Sequence, residues 1–273
     1  MKKISIKEQQ LLLIEMLDYI TKICDKNNIN YSLIGGSLIG AIRHKGMIPW
    51  DDDIDIILMP NEYEKLIDIL KKKNDKYYLL ESNNQDYSYP FSKLIDRRTF
   101  LIEEGQEVIE NYGVYLDIFK YKYVSNNKII RYIQYKTIVL VKMLIGSSAQ
   151  NRDKIKKEKN IIKRLRNFIA HIIGNNNLIK IYENMYRNNI KKTNYILSNW
   201  PAYGFKKEIQ LTDNMKLYKK VKFENIESMI SSNYDEILKT TFGDYMKLPP
   251  KEKRKSHHKM KVYWRDKDEK IEK

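Results

Sequence analysis

The chain has 273 residues, 42% of them hydrophobic and 11% aromatic, enough for a packed core, which excludes global disorder. Its 51 Lys and Arg against 35 Asp and Glu leave a net charge of +16, so anionic partners are favoured: phosphates, nucleotides, nucleic acid, acidic lipid or acidic polymer. The single cysteine, Cys24, excludes an internal disulfide and fits a reducing compartment.

The basic N-terminus is interrupted by Glu8, Glu15 and Asp18 and has no apolar h-region. The stretch IVLVKMLIG from Ile138 is too short to span a bilayer. The expected location is cytoplasmic, with peripheral contact at the inner membrane face as a further option.

Residues 5–27 place Leu12, Leu13, Met16, Leu17, Ile20 and Ile23 at helical spacing, and Cys24 continues the stripe as a buried structural thiol. A short strand is expected at 31–34. Gly35-Gly36 then turns the chain, and Ser37 is placed to cap a helix over 38–44. Residues 53–58 have strand character, and Asn61 with Glu64 suggests a capping box for a helix to about Lys72. Strands are expected at 77–81 and 90–95, with a turn at 96–99 closing a hairpin onto 100–102. Another follows at 113–119, in GVYLDIF.

From about 128 to 197 the chain reads as helical, basic and Asn-rich. A short strand is expected at 221–223 and a short helix at 235–240. The first 120 residues therefore read as a mixed α/β unit and the remainder as a mostly helical one.

The segment WDDDIDII, residues 50–57, sets four carboxylates against aliphatic residues. In a strand, residues two apart share a face, about 6.5–7 Å apart. Asp53 and Asp55 then face one way, and Ile54, Ile56 and Leu58 the other. Such a pair suits Mg²⁺ (or Mn²⁺) with positions left open for phosphate oxygens. A third carboxylate from a neighbouring strand would complete the site, and Asp117 is the best candidate. Asp51, Asp53, Asp55 and Glu62 also match acidic positions of a calcium loop, but Ile56 stands where that loop needs Gly. Upstream, a strand, Gly35-Gly36-Ser37 and a helix together form a candidate phosphate cradle.

This order of elements matches the nucleotidyltransferase superfamily. GGSLIGAIRHKGMIPWDDDIDII, residues 35–57, resembles the signature of the LicD family, and fukutin-type ribitol-phosphate transferases carry a similar block. The resemblance runs over residues 9–122, through Phe91-Ser92-Lys93-Leu94, and returns in FGDYMKLPP at 242–250 with Arg254 and His257. The chain departs from the family pattern at Ser37-Leu38-Ile39 and at Pro60-Asn61.

The resemblance implies an α+β fold. Residues 1–125 would form a nucleotidyltransferase-like mixed sheet with flanking helices. A mostly helical portion, 126–260, would pack on it as the acceptor side, and 261–273 would be a charged tail. The implied reaction moves a phospho-alcohol, phosphocholine above others, from a CDP-alcohol donor such as CDP-choline to a hydroxyl of a glycan or lipid-linked glycan, releasing CMP. The alternative is a nucleotidyltransferase that moves a nucleoside monophosphate onto a small molecule or protein. Asp53, Asp55 and Asp117 are the expected metal and catalytic residues, with Asp51 a fourth candidate ligand and Asp117 either ligand or base. Gly36, Ser37, Arg43, His44 and Lys93 are the expected donor-phosphate contacts. No nucleic-acid recognition motif is present.

Residues 152–174 carry Ile155, Ile162, Leu165, Ile169 and Ile172 as an apolar stripe among Lys and Arg. The ordinary expectation is a core-facing helix with a solvated basic face; the sharper one is contact with an anionic membrane surface.

Overall fold

The structure is a computed structural model that describes residues 2–72, 74–82, 87, 89–103, 109, 111–148, 160–187, 192–256 and 260–265. Helix α1 (Ile6–Asn27) starts at a capping box, with Ser5 and Glu8 each satisfying the other's backbone N–H, and stops at Asn28 in the left-handed conformation. It buries Leu12, Leu13, Met16, Leu17, Ile20 and Cys24, the stripe expected from the spacing. Burial pushes the Cys24 thiol up, which leaves it an inert core group.

Strand β1 (Ser32–Leu33) pairs antiparallel with β2 (Asp55–Leu58). Between them runs α2 (Gly35–Ile39), continued by a π-helical turn over Gly40–His44. The helix opens at Gly35, two residues before the expected cap, so Ser37 lies inside its first turn. Gly35 has a φ of 61°, which a glycine adopts without penalty. The chain then doubles back so tightly that a Cβ on Gly40 would sit 2.5 Å from the Gly46 carbonyl oxygen.

Helix α3 (Pro60–Leu70) begins with Pro60 in its first turn after Met59, not with an Asn61 cap, because a proline there forfeits no hydrogen bond. Strands β3 (Tyr77–Leu80), β4 (Ser92–Asp96), β5 (Thr99–Glu103) and β6 (Tyr115–Val124) follow. The main sheet has the order β1-β2-β6-β4-β3. The far half of β6 pairs with β7 (Tyr195–Ser198), which β8 (Gln210–Leu211) extends. Strands β2 and β6 run parallel and the other pairs antiparallel, so the sheet is mixed and the fold α+β, as expected.

The expected hairpin of 90–95 with 100–102 does not form. Strand β4 pairs with β3 and β6, while β5 pairs with β11 (Met260–Trp264) in a separate two-stranded sheet. Residues 261–264, expected at the start of a charged tail, thus lie in a strand with Val262 buried.

Strands β9 (Tyr218–Phe223) and β10 (Ile226–Ser231) form a hairpin turned by Glu224 at φ 54°. Two buried contacts lock it to the core. The Tyr31 hydroxyl lies 2.6 Å from Thr21 Oγ1 and 3.0 Å from Ser228 Oγ, and the Ser231 N–H donates to Ser32 Oγ at 3.0 Å.

Helices α4 (Lys128–Ser148), α5 (Ile161–Ile173) and α6 (Asn175–Tyr186) enclose a second apolar cluster, which includes Tyr135, Ile138, Ala170, Leu178 and Tyr182. Helices α7 (Phe205–Glu208) and α8 (Tyr234–Phe242) lie in the C-terminal third of the chain. Among the described residues, no helix is long and apolar enough to cross a membrane.

Candidate active site

Parallel pairing of β2 with β6 sets Asp55 directly opposite Asp117. Antiparallel pairing of β6 with β4 sets Asp117 opposite Lys93. Side chains opposite one another on paired strands share a face. The register therefore builds a row across three strands: Asp55, Asp117, Lys93. The row closes with Lys93 Nζ 2.5 Å from Asp117 Oδ1, both side chains nearly sealed from solvent. The ammonium also lies 3.4 Å from the Tyr115 ring centroid and 5.1 Å from that of Phe91. Lys93, an expected donor-phosphate contact, lies here buried among aromatic rings and paired with Asp117.

Asp53 lies ahead of β2, not within it as the alternation suggested, since the strand begins at Asp55. Even so, Asp51, Asp53 and Asp55 line one cleft of about 570 Å³ together with Gly36 and Arg43. Carboxylate oxygens of Asp51, Asp52 and Asp53 lie within 4.8 Å of one another. Asp52 lines a separate cleft and accepts a hydrogen bond from Ser256, while its carbonyl receives Gln9 Nε2 at 2.8 Å.

Burial, followed by the nearby Asp53, Asp117 and Asp51, pushes the Asp55 carboxyl well above the ordinary carboxylate range, and Lys93 only partly opposes this. Hard oxygen donors concentrated against their own repulsion are the donor set a divalent cation takes.

The glycine turn serves these acids. A Cβ on Gly36 would lie 2.7 Å from Asp51 Oδ2, and one on Gly35 3.6 Å from Asp55 Oδ2. Ser37 is buried, and its Oγ accepts the Asp55 N–H at 2.9 Å, which orients the start of β2. Gly36→Ala would force the Asp51 carboxylate to turn. Turnover is expected to fall about 10–100-fold with little change in melting temperature. Wild-type turnover in that variant would show that the Asp51 position is not needed.

Arg43 lines the cleft, but it also donates to the carbonyls of Tyr245 at 2.8 Å and Lys247 at 3.3 Å. It thereby ties the π-helical turn after α2 to the 243–249 loop. Its Nε donates to His44 Nε2 at 3.0 Å, and burial together with Arg43 holds the His44 imidazole below its usual range. His44 meets Trp50 edge-on, with 6.2 Å between ring centroids. His257 falls outside the described residues.

Of the residues expected to contact phosphate, Gly36 and Arg43 line the cleft, while Ser37, His44 and Lys93 make the contacts given above. Further residues of the cleft lining were not named as site residues from the sequence. Tyr203, Phe242, Asp244, Lys247 and Lys253 line the same cleft. The Tyr203 and Phe242 rings meet edge to face at 5.0 Å. Burial, then Asp55 and Glu208, then Asp53 and Asp51, push the Tyr203 hydroxyl up to about 12, so this ring lies within the field of the acids. The sequence shows FGDYMKLPP as a dense polar and aromatic segment and WPAYG as a turn. Neither shows that it lines one cleft with carboxylates far away in the chain.

A mixed sheet thus sets Asp55 at the start of β2 and Asp117 in β6 beside a glycine turn. Residues 28–142 match the family described as LicD/FKTN/FKRP, nucleotidyltransferase domain. The chain is 34% identical over 270 residues to the lipopolysaccharide cholinephosphotransferase LicD of Haemophilus influenzae, covering 96% of this chain and 99% of that one. It is 43% identical over 42 residues to the ribitol 5-phosphate transferase FKRP of Homo sapiens and of Mus musculus, covering 15% of this chain and 8% of each relative. The chain belongs to the LicD family.

Proposed function

We propose that this protein transfers a phospho-alcohol, phosphocholine above others, from a CDP-activated donor to a hydroxyl of a cell-surface glycan or its lipid-linked precursor, releasing CMP. The observation that carries this reading is the similarity to a lipopolysaccharide cholinephosphotransferase along essentially the whole of both chains.

The site is consistent with that chemistry. Asp53 and Asp55 would hold Mg²⁺ or Mn²⁺, with Asp51 and Asp117 completing the set. The bound cation would offset the charge of the donor pyrophosphate and of the departing CMP. We assign Asp117 to the cation and not to proton removal, because a carboxylate already bound to an ammonium is a weak base. Arg43, Lys247 and Lys253 line the cleft where a pyrophosphate would lie. The Tyr203 and Phe242 rings, with Asp244 nearby, suit a trimethylammonium group through cation–π attraction. Trp50 is less suited, since the Arg254 guanidinium already lies 5.8 Å from its ring centroid.

The match to a nucleotidyltransferase domain favours one competing reading, transfer of a nucleoside monophosphate from a triphosphate. One experiment separates the two. The protein is incubated with Mg²⁺, a glycan acceptor (or water alone as the acceptor) and CDP-choline, CDP-ribitol, CDP-glycerol or nucleoside triphosphates, and products are read by mass. CMP release from CDP-choline, faster than from the other CDP-alcohols and abolished by chelation, is the expected result. Pyrophosphate release from a triphosphate with every CDP-alcohol left intact would replace this reading with the second.

A further inference from the structure

Helix α5 is amphipathic in an unusual sense. Its packing side is narrow: Asn167 and Ala170 are its buried residues, and it packs on α4 and α6. Ile161, Ile162, Leu165, Phe168, Ile169 and Ile172 are each 40–79% exposed. At 3.6 residues per turn these six occupy one continuous face, opposite Asn167 and Ala170. The sequence left two expectations for this stripe, the ordinary one that it faces the core and the sharper one that it meets an anionic membrane surface. The described part of it faces away; residues 152–159, with Ile155, lie outside the described residues.

Helix α4, which packs on α5, repeats the pattern. Ile129, Ile133, Leu140 and Met143 share its exposed face. Neither helix contains an aspartate or glutamate. On the helical projection Arg164 borders the apolar face of α5 on one side and Arg166 on the other, while Lys136 lies within the exposed face of α4.

We propose that these outer faces of α5 and α4 dock the protein on an anionic lipid bilayer. Large aliphatic and aromatic side chains at this exposure each leave apolar area in water that an interface would cover. A cationic rim without carboxylates directs that face toward anionic headgroups. A second copy of the chain is a poorer occupant. Symmetric pairing would bring the arginines of both copies together on chains that each carry a net charge of +16. The docking surface does not rest on the proposed reaction, because none of these residues lines the acidic cleft.

The test is cosedimentation of the full-length protein with vesicles of phosphatidylcholine alone and with vesicles rich in phosphatidylglycerol, at low and high salt. The protein is expected to bind the anionic vesicles, and salt to weaken that binding. Phe168→Glu, Ile172→Glu and the pair Arg164→Glu/Lys136→Glu are each expected to reduce it by at least about tenfold. These side chains are exposed, so thermal melts should match wild type. If a melt drops, Leu165→Ser probes the same face with a milder change. Absence of wild-type binding, equal binding to neutral vesicles, or unaltered binding by the variants would each overturn the proposal. So would a solution dimer that Phe168→Glu splits while vesicle binding stays absent.

Discussion

Asp55→Asn is expected to abolish transfer while raising the melting temperature of the cation-free protein. Asp55 is half-buried beside Asp51, Asp53 and Asp117, and its carboxyl is pushed well above the ordinary range by desolvation first and by those acids next. The native fold therefore holds a proton on Asp55 more tightly than the unfolded chain does. Its contribution to stability is greatest where the carboxyl is protonated. That contribution declines as pH rises from the ordinary carboxylate value, about 4, through the raised native value. Asparagine keeps the shape, removes the charge and should flatten this decline, with a melting temperature about 2–4 °C higher for each kcal/mol of repulsion relieved. The same change would remove a proposed cation ligand, and turnover should fall about 10²–10³-fold or more. Two melts in chelator and in Mg²⁺ provide the check. Mg²⁺ should stabilise the wild type and stabilise Asp55→Asn much less. Equal stabilisation of both would remove Asp55 from the cation site.

Lys93→Met should be the most destabilising single change at the site. It leaves Asp117 buried without its counter-ion, and breaking a buried pair from one side costs about 3–5 kcal/mol. The aromatic wall around the ammonium loses its cation at the same time. Adding Asp117→Asn to Lys93→Met removes the orphaned charge and should restore most of the lost stability, with no return of turnover. Denaturant titrations of both single variants and the double variant form the cycle that measures this coupling. If the double variant is no more stable than Lys93→Met, the Lys93–Asp117 pair is not what stabilises this part of the sheet.

The corrections share a physical origin. The α1 stripe and the acids flanking β2 were legible because each depends on residues a few positions apart, where spacing alone sets the face. The Asn61 cap and the Ser37 cap were local judgements that failed at the level of one or two residues: a proline took the first turn of α3, and a glycine at positive φ opened α2 early. The β4–β5 hairpin was a plausible local pairing. It lost to long-range partners, with β4 inserted between β3 and β6 and β5 taken by β11.

What the sequence determined by itself is the chemistry available at the site: a glycine turn, a run of aspartates and a further aspartate in an apolar strand. Membership of a family was legible in the same residues. The tertiary structure alone decided which groups meet. Lys93 becomes the partner of Asp117 because two strand pairings, one parallel and one antiparallel, set 55, 117 and 93 in line. Tyr203 and Phe242, which line the cleft beside the acids, come from segments remote in the chain. Helix α5 teaches the same lesson in reverse. Periodicity determines that six apolar side chains share a face, but which side of a helix its neighbours cover is settled by packing, and here they cover the other side.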